Sequence, residues 1–302
     1  MTFVLTYITW DVSPFIYEGE HFAISWYGTL WTLGLIGMLI TLLVTFKHDG
    51  VPSQYALITF MVSLVCVIFF GHLFQGLFYE WDYLPDNPAH AFGTDWHYRN
   101  YYFEHPWKFF DFAHGGFASH GILLGTMLAA WILSKSWHCS YLWLAERACI
   151  ALSIVGCCVR IGNLFNSEIY GIHTSVAWAF IYPGENMPSH PTQIYEALIF
   201  FLPYVIALIL LLYTRCNRYY GLVFGITLIT MFTLRFLVEF IKLPQMAIES
   251  NWLLNMGQWL SLPYILYGVY VVIVSIKNGP QEGKKPCVTL SDYGHKKRRK
   301  KQ

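Results

Sequence analysis

Hydrophobic and polar positions along the chain fall into long blocks, with no strand-like alternation. Apolar runs of about twenty residues, the length that crosses a hydrocarbon core, predict membrane helices over roughly 26–46, 57–79, 117–135, 147–166, 194–214, 219–241 and 258–277. Between the runs, charge changes sign from one side to the other. Lys47 and His48 follow the first run, Lys135 and His138 the third, Arg215 and Arg218 join the fifth to the sixth, and Lys277 follows the last. Segment 80–116 instead carries Glu80, Asp82, Asp86, Asp95, Glu104 and Asp111 against Arg99 and Lys108, and 167–193 has two glutamates with neither Lys nor Arg. Short basic loops stay on the cytoplasmic side. The expected fold class is therefore all-α: a polytopic membrane protein of about seven transmembrane helices, N-terminus outside and C-terminus cytoplasmic.

Composition strengthens this reading. Of 302 residues, 56% are hydrophobic and only 12% charged, where a soluble domain has about 25% charged. Aromatic residues reach 19%, as rings gathered at two membrane interfaces would require. No linker or internal repeat divides residues 1–278, so one membrane domain with an aromatic-rich outer loop at 80–116 is expected. An inverted-repeat transporter fold gains no support. Residues 279–302 end in a run of Lys and Arg and read as a solvated, disordered cytoplasmic tail that can meet anionic headgroups.

Seven cysteines (66, 139, 149, 157, 158, 216 and 287) show no metal-finger or redox spacing and avoid the long outer loops. A disulfide framework is not expected. The start, MTFVLTYITWDVSP, has neither a basic n-region nor a small-residue cleavage site, so no cleaved signal peptide is expected.

Polar groups inside the apolar runs are the candidates for chemistry. Arg160 lies near the end of the fourth run, followed by Asn163, Asn166 and Glu168. An arginine there either snorkels to the interface or faces a partner, cavity or substrate. Trp26 and Tyr27 open the first run and suit an aromatic belt; His72 and Gln75 share a face of the second and suit interhelical hydrogen bonds. Small residues around His120 in GGFASHG permit close approach of another backbone, and histidine can move a proton near neutrality. Glu146 precedes the fourth run. Ser189 or Thr192 is expected to cap the fifth helix, putting Gln193, Tyr195 and Glu196 at its outer end. Arg235 and Glu239 are spaced i,i+4, so they either pair with each other or leave Arg235 for a ligand. Gln258 and Ser261 open the last run. Two guanidiniums can hold one phosphate, and a nearby His or Glu can accept a proton. No HExxH, Asp-rich or Cys/His ligand set is present, so no metal or other cofactor is expected. Nothing points to nucleic acid. The residues alone support a bundle that binds a phosphate-bearing amphiphile from the outer side. It either catalyses direct transfer or acts as a transporter or flippase for an anionic phospholipid-like substrate.

The segments SWYG (25–28), GGFASHG (115–121), RIGNLFNSEIYG (160–171), HPTQIYE (190–196), RFLVEF (235–240) and MGQWLSLP (256–263) together resemble the prolipoprotein diacylglyceryl transferase family. They cover most of the chain from the first run to the last. The resemblance implies a catalytic seven-helix domain in the bacterial plasma (inner) membrane. Its reaction would move a diacylglyceryl group from phosphatidylglycerol to the lipobox cysteine of a prolipoprotein signal peptide, leaving a thioether and glycerol phosphate. It implies His120 as base or orienting group, Arg160 and Arg235 as phosphate ligands and Glu239 as a further catalytic group. Tyr27, Asn163, Glu168, Gly171, His190, Gln193, Tyr195, Glu146 and Gln258 match its substrate-binding positions. Departures are His72 where an arginine is common, Ile122 in place of the second glycine of an H-G-G motif, Ser167 for a frequent glycine, and Glu146 for a frequent aspartate.

Overall fold

The computed structural model describes residues 7–85, 96–112, 116–243 and 253–281. Most of the basic tail, Cys287 and the middle of the outer loop lie outside the described residues. Each apolar run folds into a helix: α1 Trp26–His48, α2 Ser53–Phe78, α4 Ser119–Trp137, α5 Tyr141–Phe165, α6 Thr192–Tyr213, α7 Leu222–Val238 and α8 Met256–Asn278, with a single turn, α3 Tyr101–Glu104, in the outer loop. Among the described residues six helices are long and apolar enough to cross a membrane. The remaining long helix, α4, has 19 residues, about 28 Å at 1.5 Å per residue, but Ser119, His120, Thr126, Ser134 and Lys135 dilute its apolar character.

The bundle is organised around α5, whose residues from Trp143 to Ser153 are all buried. It starts at Tyr141, earlier than the apolar run, because Ser140 caps it by accepting from the Trp143 N–H at 3.5 Å. Glu146 is therefore inside the helix, not before it, next to Arg147. Opposite charges let them stay: Arg147 bonds Glu146 and reaches Asp49 at the end of α1 at 2.9 Å, where the Trp143 indole N–H also donates at 2.8 Å. Outward faces are the apolar ones. On α1 Leu33, Ile36, Ile40 and Val44 are exposed at helical spacing, the pattern of a lipid-facing stripe. The close approach expected around His120 is present: a Cβ on Gly121 or Gly125 would collide with the α2 backbone carbonyls of Phe70 or Cys66.

Caps hold the helix starts. Ser25 accepts from the Gly28 N–H at 3.0 Å, so part of SWYG is a helix cap. The expectation for α6 is corrected: Pro191 occupies the cap position and no side chain caps it. Ser189 bonds His173, and the Thr192 hydroxyl donates to the Ile169 carbonyl. Strands were not anticipated. β1 (Ile8–Thr9) runs parallel to β6 (Phe180–Ile181), β2 (Phe15–Glu18) is antiparallel to β3 (Ala23–Ser25), and β4 (Trp81–Pro85) to β5 (Trp96–Asn100). They are too short for a period-two signal to register. β1 and β6 sit beside the end of α5, where Trp10 stacks on Phe180 and donates to the Leu164 carbonyl. The end of α5 and the starts of α1, α4, α6 and α8 thus share one end of the bundle with the end of α7.

Candidate active site

At that end the helices enclose a cavity of about 650 Å³, within the range of ligand sites. Its deeper wall is apolar, with Val155 of α5, Ile199 and Phe200 of α6, and Leu228, Met231 and Phe232 of α7. Its polar end is formed by Arg160, Asn163, Glu168, Glu196 and Arg235, with Tyr27, Gln75 and Tyr79. One end suits a charged headgroup and the other hydrocarbon.

Arg160 does not snorkel to water; it is 8% exposed and Arg235 6%. Both turn toward Glu196, itself 1% exposed. Arg235 Nη1 donates to Glu196 Oε1 at 2.9 Å, and Arg160 Nη1 lies 3.2 Å from Oε2. Lys242 joins them, with Nζ 3.6 Å from Glu196 Oε1 and 3.4 Å from Glu239 Oε2. Three buried cations thus face two buried carboxylates. The i,i+4 pair anticipated between Arg235 and Glu239 is replaced: Arg235 reaches across to α6, while α7 tightens into a 3₁₀ turn at Glu239–Ile241 that brings Lys242 to Glu239. Arg235 Nε is buried with no hydrogen-bond partner, and Glu196 Oε2 has the Arg160 ion pair but no hydrogen bond. Such atoms are costly in a dry site, and a ligand's oxygens or protons would satisfy them.

The Arg160 run folds back over the cavity. Asn163 accepts from Arg160 at 3.4 Å and donates to Glu168 at 2.7 Å, and Asn166 donates to the same Glu168 oxygen at 3.1 Å. Glu168 is thereby fixed at the rim. Its backbone carbonyl accepts from Gln193 at 2.8 Å, and Gln193 accepts from Tyr182. Gln193 thus orders the run from behind. The turn needs left-handed backbone at Ser167 (φ 52°) and Ile169 (φ 60°), a cost for any residue with a Cβ. Ser167 stands where the family resemblance expects glycine. Gly171 is a packing requirement: a Cβ there would meet the Ile241 carbonyl, His190 and Thr192, so its absence lets the Lys242 segment close on the site.

The other expected residues divide. Tyr27 lines the cavity and lies against Gly162, while its neighbour Trp26 stacks on Phe165. His190 and Tyr195 bond each other at 3.2 Å beside Trp178, and partial burial holds the His190 imidazole below its ordinary value. His120 is fully buried, stands against Phe232 and Tyr264, and meets no partner at either ring nitrogen. It lies behind the wall that its neighbours Ser119 and Ile122 form. Gln258 is a structural group: it completes a capping box with Asn255 and donates to the Phe236 carbonyl at 3.2 Å.

Glu146 is corrected as a substrate contact. It sits at the opposite end of α5, about 21 Å of helix from Arg160. There it accepts from the Val223 and Phe224 N–H groups at 3.0 and 3.1 Å and so caps α7. His72 and Gln75 are corrected too: His72 bonds the Lys108 carbonyl at 2.9 Å and Gln75 the nearby Glu80 at 3.1 Å, so neither joins two membrane helices. Sequence reasoning missed Lys242 and the central place of Glu196. The one available signal was a lysine three residues beyond Glu239, at the end of an apolar run.

A sequence model of the family described as prolipoprotein diacylglyceryl transferase matches residues 14–274. The phosphatidylglycerol–prolipoprotein diacylglyceryl transferase of Chloroherpeton thalassium is 33% identical over 281 residues, covering 92% of this chain and 97% of the relative. That of Tolumonas auensis is 32% identical over 275 residues, covering 89% and 97%. That of Porphyromonas gingivalis is 35% identical over 297 residues, covering 90% and 96%.

Proposed function

The chain belongs to the prolipoprotein diacylglyceryl transferase family, and from that membership we propose that its cavity passes a diacylglyceryl group from phosphatidylglycerol to the cysteine of a lipoprotein precursor. The protein is a multi-pass membrane transferase of the first step of lipoprotein maturation. The setting proposed for it is the bacterial plasma (inner) membrane, with seven crossings, the site at the outer face, the C-terminus inside and residues 279–302 as a basic appendage.

One observation supports the assignment of the site: Arg160 and Arg235, on different helices, each aim Nη1 at one oxygen of the Glu196 carboxylate beside an apolar cavity wall. Guanidiniums held this way take a phosphate as they take a carboxylate. Acyl chains lie along Ile199, Phe200 and Met231. The lipobox cysteine then displaces phosphate at the glyceryl carbon. The S–C bond forms as the C–O bond breaks, the oxygen leaves as glycerol phosphate, and the thiol proton passes to a protein base or solvent.

A free thiol has a pKa of about 8.5, so the nucleophile needs a positive field or a base, and the leaving group needs cations fixed in advance. Arg160, Arg235 and Lys242 serve both needs. Glu239 holds Lys242, and Asn163 and Glu168 hold Arg160 and the rim. Tyr27 bounds the headgroup space, while Gln193, His190, Tyr195 and Gly171 shape the segment above it. His120 acts through the wall made by Phe232, as an orienting group. Purified protein in detergent, given phosphatidylglycerol and a lipobox peptide, is expected to yield a thioether-linked diacylglyceryl peptide by mass. Lipid redistribution across vesicles with no such product would instead indicate a transporter.

A further inference from the structure

Glu196 is a carboxylate where the proposed reaction needs a phosphate. Its oxygens sit 2.9 Å from Arg235, 3.2 Å from Arg160 and 3.6 Å from Lys242, and it is 1% exposed. A site built only to bind phosphate would leave these cations to the ligand. Here an internal anion already takes part of their charge. We propose that Glu196 makes the cation cluster selective for a singly charged phosphodiester over a doubly charged phosphate monoester, so that the product is expelled by charge once the bond has broken.

The inference rests on the transferase reading and deepens it. In direct contact, three cations face Glu196 and Glu239, leaving one positive charge in excess. Glu168 is held by the Asn163 and Asn166 amides at the rim and stands outside these direct contacts. Tyr27, Tyr79 and the His120 ring complete the titratable surroundings from α1, α2 and α4. A phosphodiester carries one negative charge, which the excess cation balances. When the S–C bond forms and the C–O bond breaks, the phosphate becomes a monoester whose second ionisation lies near pH 6. The thiol proton has gone to the base or solvent and the C–O electron pair stays on oxygen, so at neutral pH the leaving phosphate carries nearly two charges. Among the described residues the second charge finds no cation of the cluster left unpaired, and it faces Glu196 where the effective dielectric is low.

The test is inhibition of transfer by glycerol phosphate and by its methyl phosphodiester, from pH 5.5 to 8, in the wild type and in Glu196→Gln. The wild type is expected to lose inhibition by glycerol phosphate as pH rises through the second ionisation, while the diester inhibits evenly. In Glu196→Gln, inhibition by glycerol phosphate at pH 7.5 is expected to strengthen by at least about tenfold, with turnover falling and the KM for phosphatidylglycerol moving less. Equal inhibition by both phosphates at every pH in the wild type, or an unchanged ratio in the variant, overturns the proposal. If the variant fails to fold, the wild-type comparison decides alone. If the wild type shows no transfer, the transferase reading of the site fails separately, and calorimetric binding of the same two phosphates still decides the charge selectivity.

Discussion

Arg235 meets Glu196 at 2.9 Å across the gap between α7 and α6, while its own i+4 neighbour Glu239 takes Lys242 at 3.4 Å. Helix geometry permits the i,i+4 pair, but the chain turns to 3₁₀ at Glu239 and that carboxylate pairs with Lys242 three residues on. Lys242 thereby becomes a third cation of the site. Lys242→Met is expected to lower the transfer rate by about tenfold or more, and Lys242→Arg to retain most of it. Rates from purified variants matched for folded fraction check this.

Glu146 ties α5 to the start of α7 and lines no part of the cavity. Breaking a buried charge pair costs about 3–5 kcal/mol, so Glu146→Ala is expected to lower the melting temperature and folded yield sharply. The KM of the folded remainder is expected to stay near the wild-type value. A melting curve beside steady-state kinetics separates this from a substrate contact, which would raise KM with stability intact.

His120 has no partner at either ring nitrogen and stands behind Phe232. As an orienting group, its replacement in His120→Gln is expected to lower the rate while leaving the shape of the pH–rate profile unchanged. Loss of the profile's limb in the range where histidine titrates would make it the base instead.

Ser167 sits at φ 52°, a conformation that costs an L-residue about 1–2 kcal/mol. Ser167→Gly is expected to raise stability by about 1 kcal/mol, less the extra freedom glycine has when unfolded. Thermal unfolding in detergent measures it.

Much of the bundle was legible because lipid imposes a length and an apolarity on each crossing, and those are local properties. The start of α5 was not, since Glu146 reads as lying before the helix until Arg147 and the α7 N-terminus are seen to neutralise it. Arg160, Asn163 and Glu168 lie close in sequence and proved close in space. Glu196 was noted at the start of its helix, yet its importance comes from residues 36, 39 and 46 positions away, a relation no local pattern carries. The strands at the head are too short to register a period, and the His72 bond was missed because its partner carbonyl lies 36 residues away.

The phosphate clamp is tested most directly by the rate of thioether formation from phosphatidylglycerol and a lipobox peptide in Arg160→Ala and Arg235→Ala, each shown to be folded. Removing fixed charge from a developing leaving group costs about 10²–10³ in rate, and each variant is expected to fall at least about a hundredfold. A rate within about twofold of wild type in either variant, where the clamp requires a drop of that size, would contradict its role in holding the phosphate.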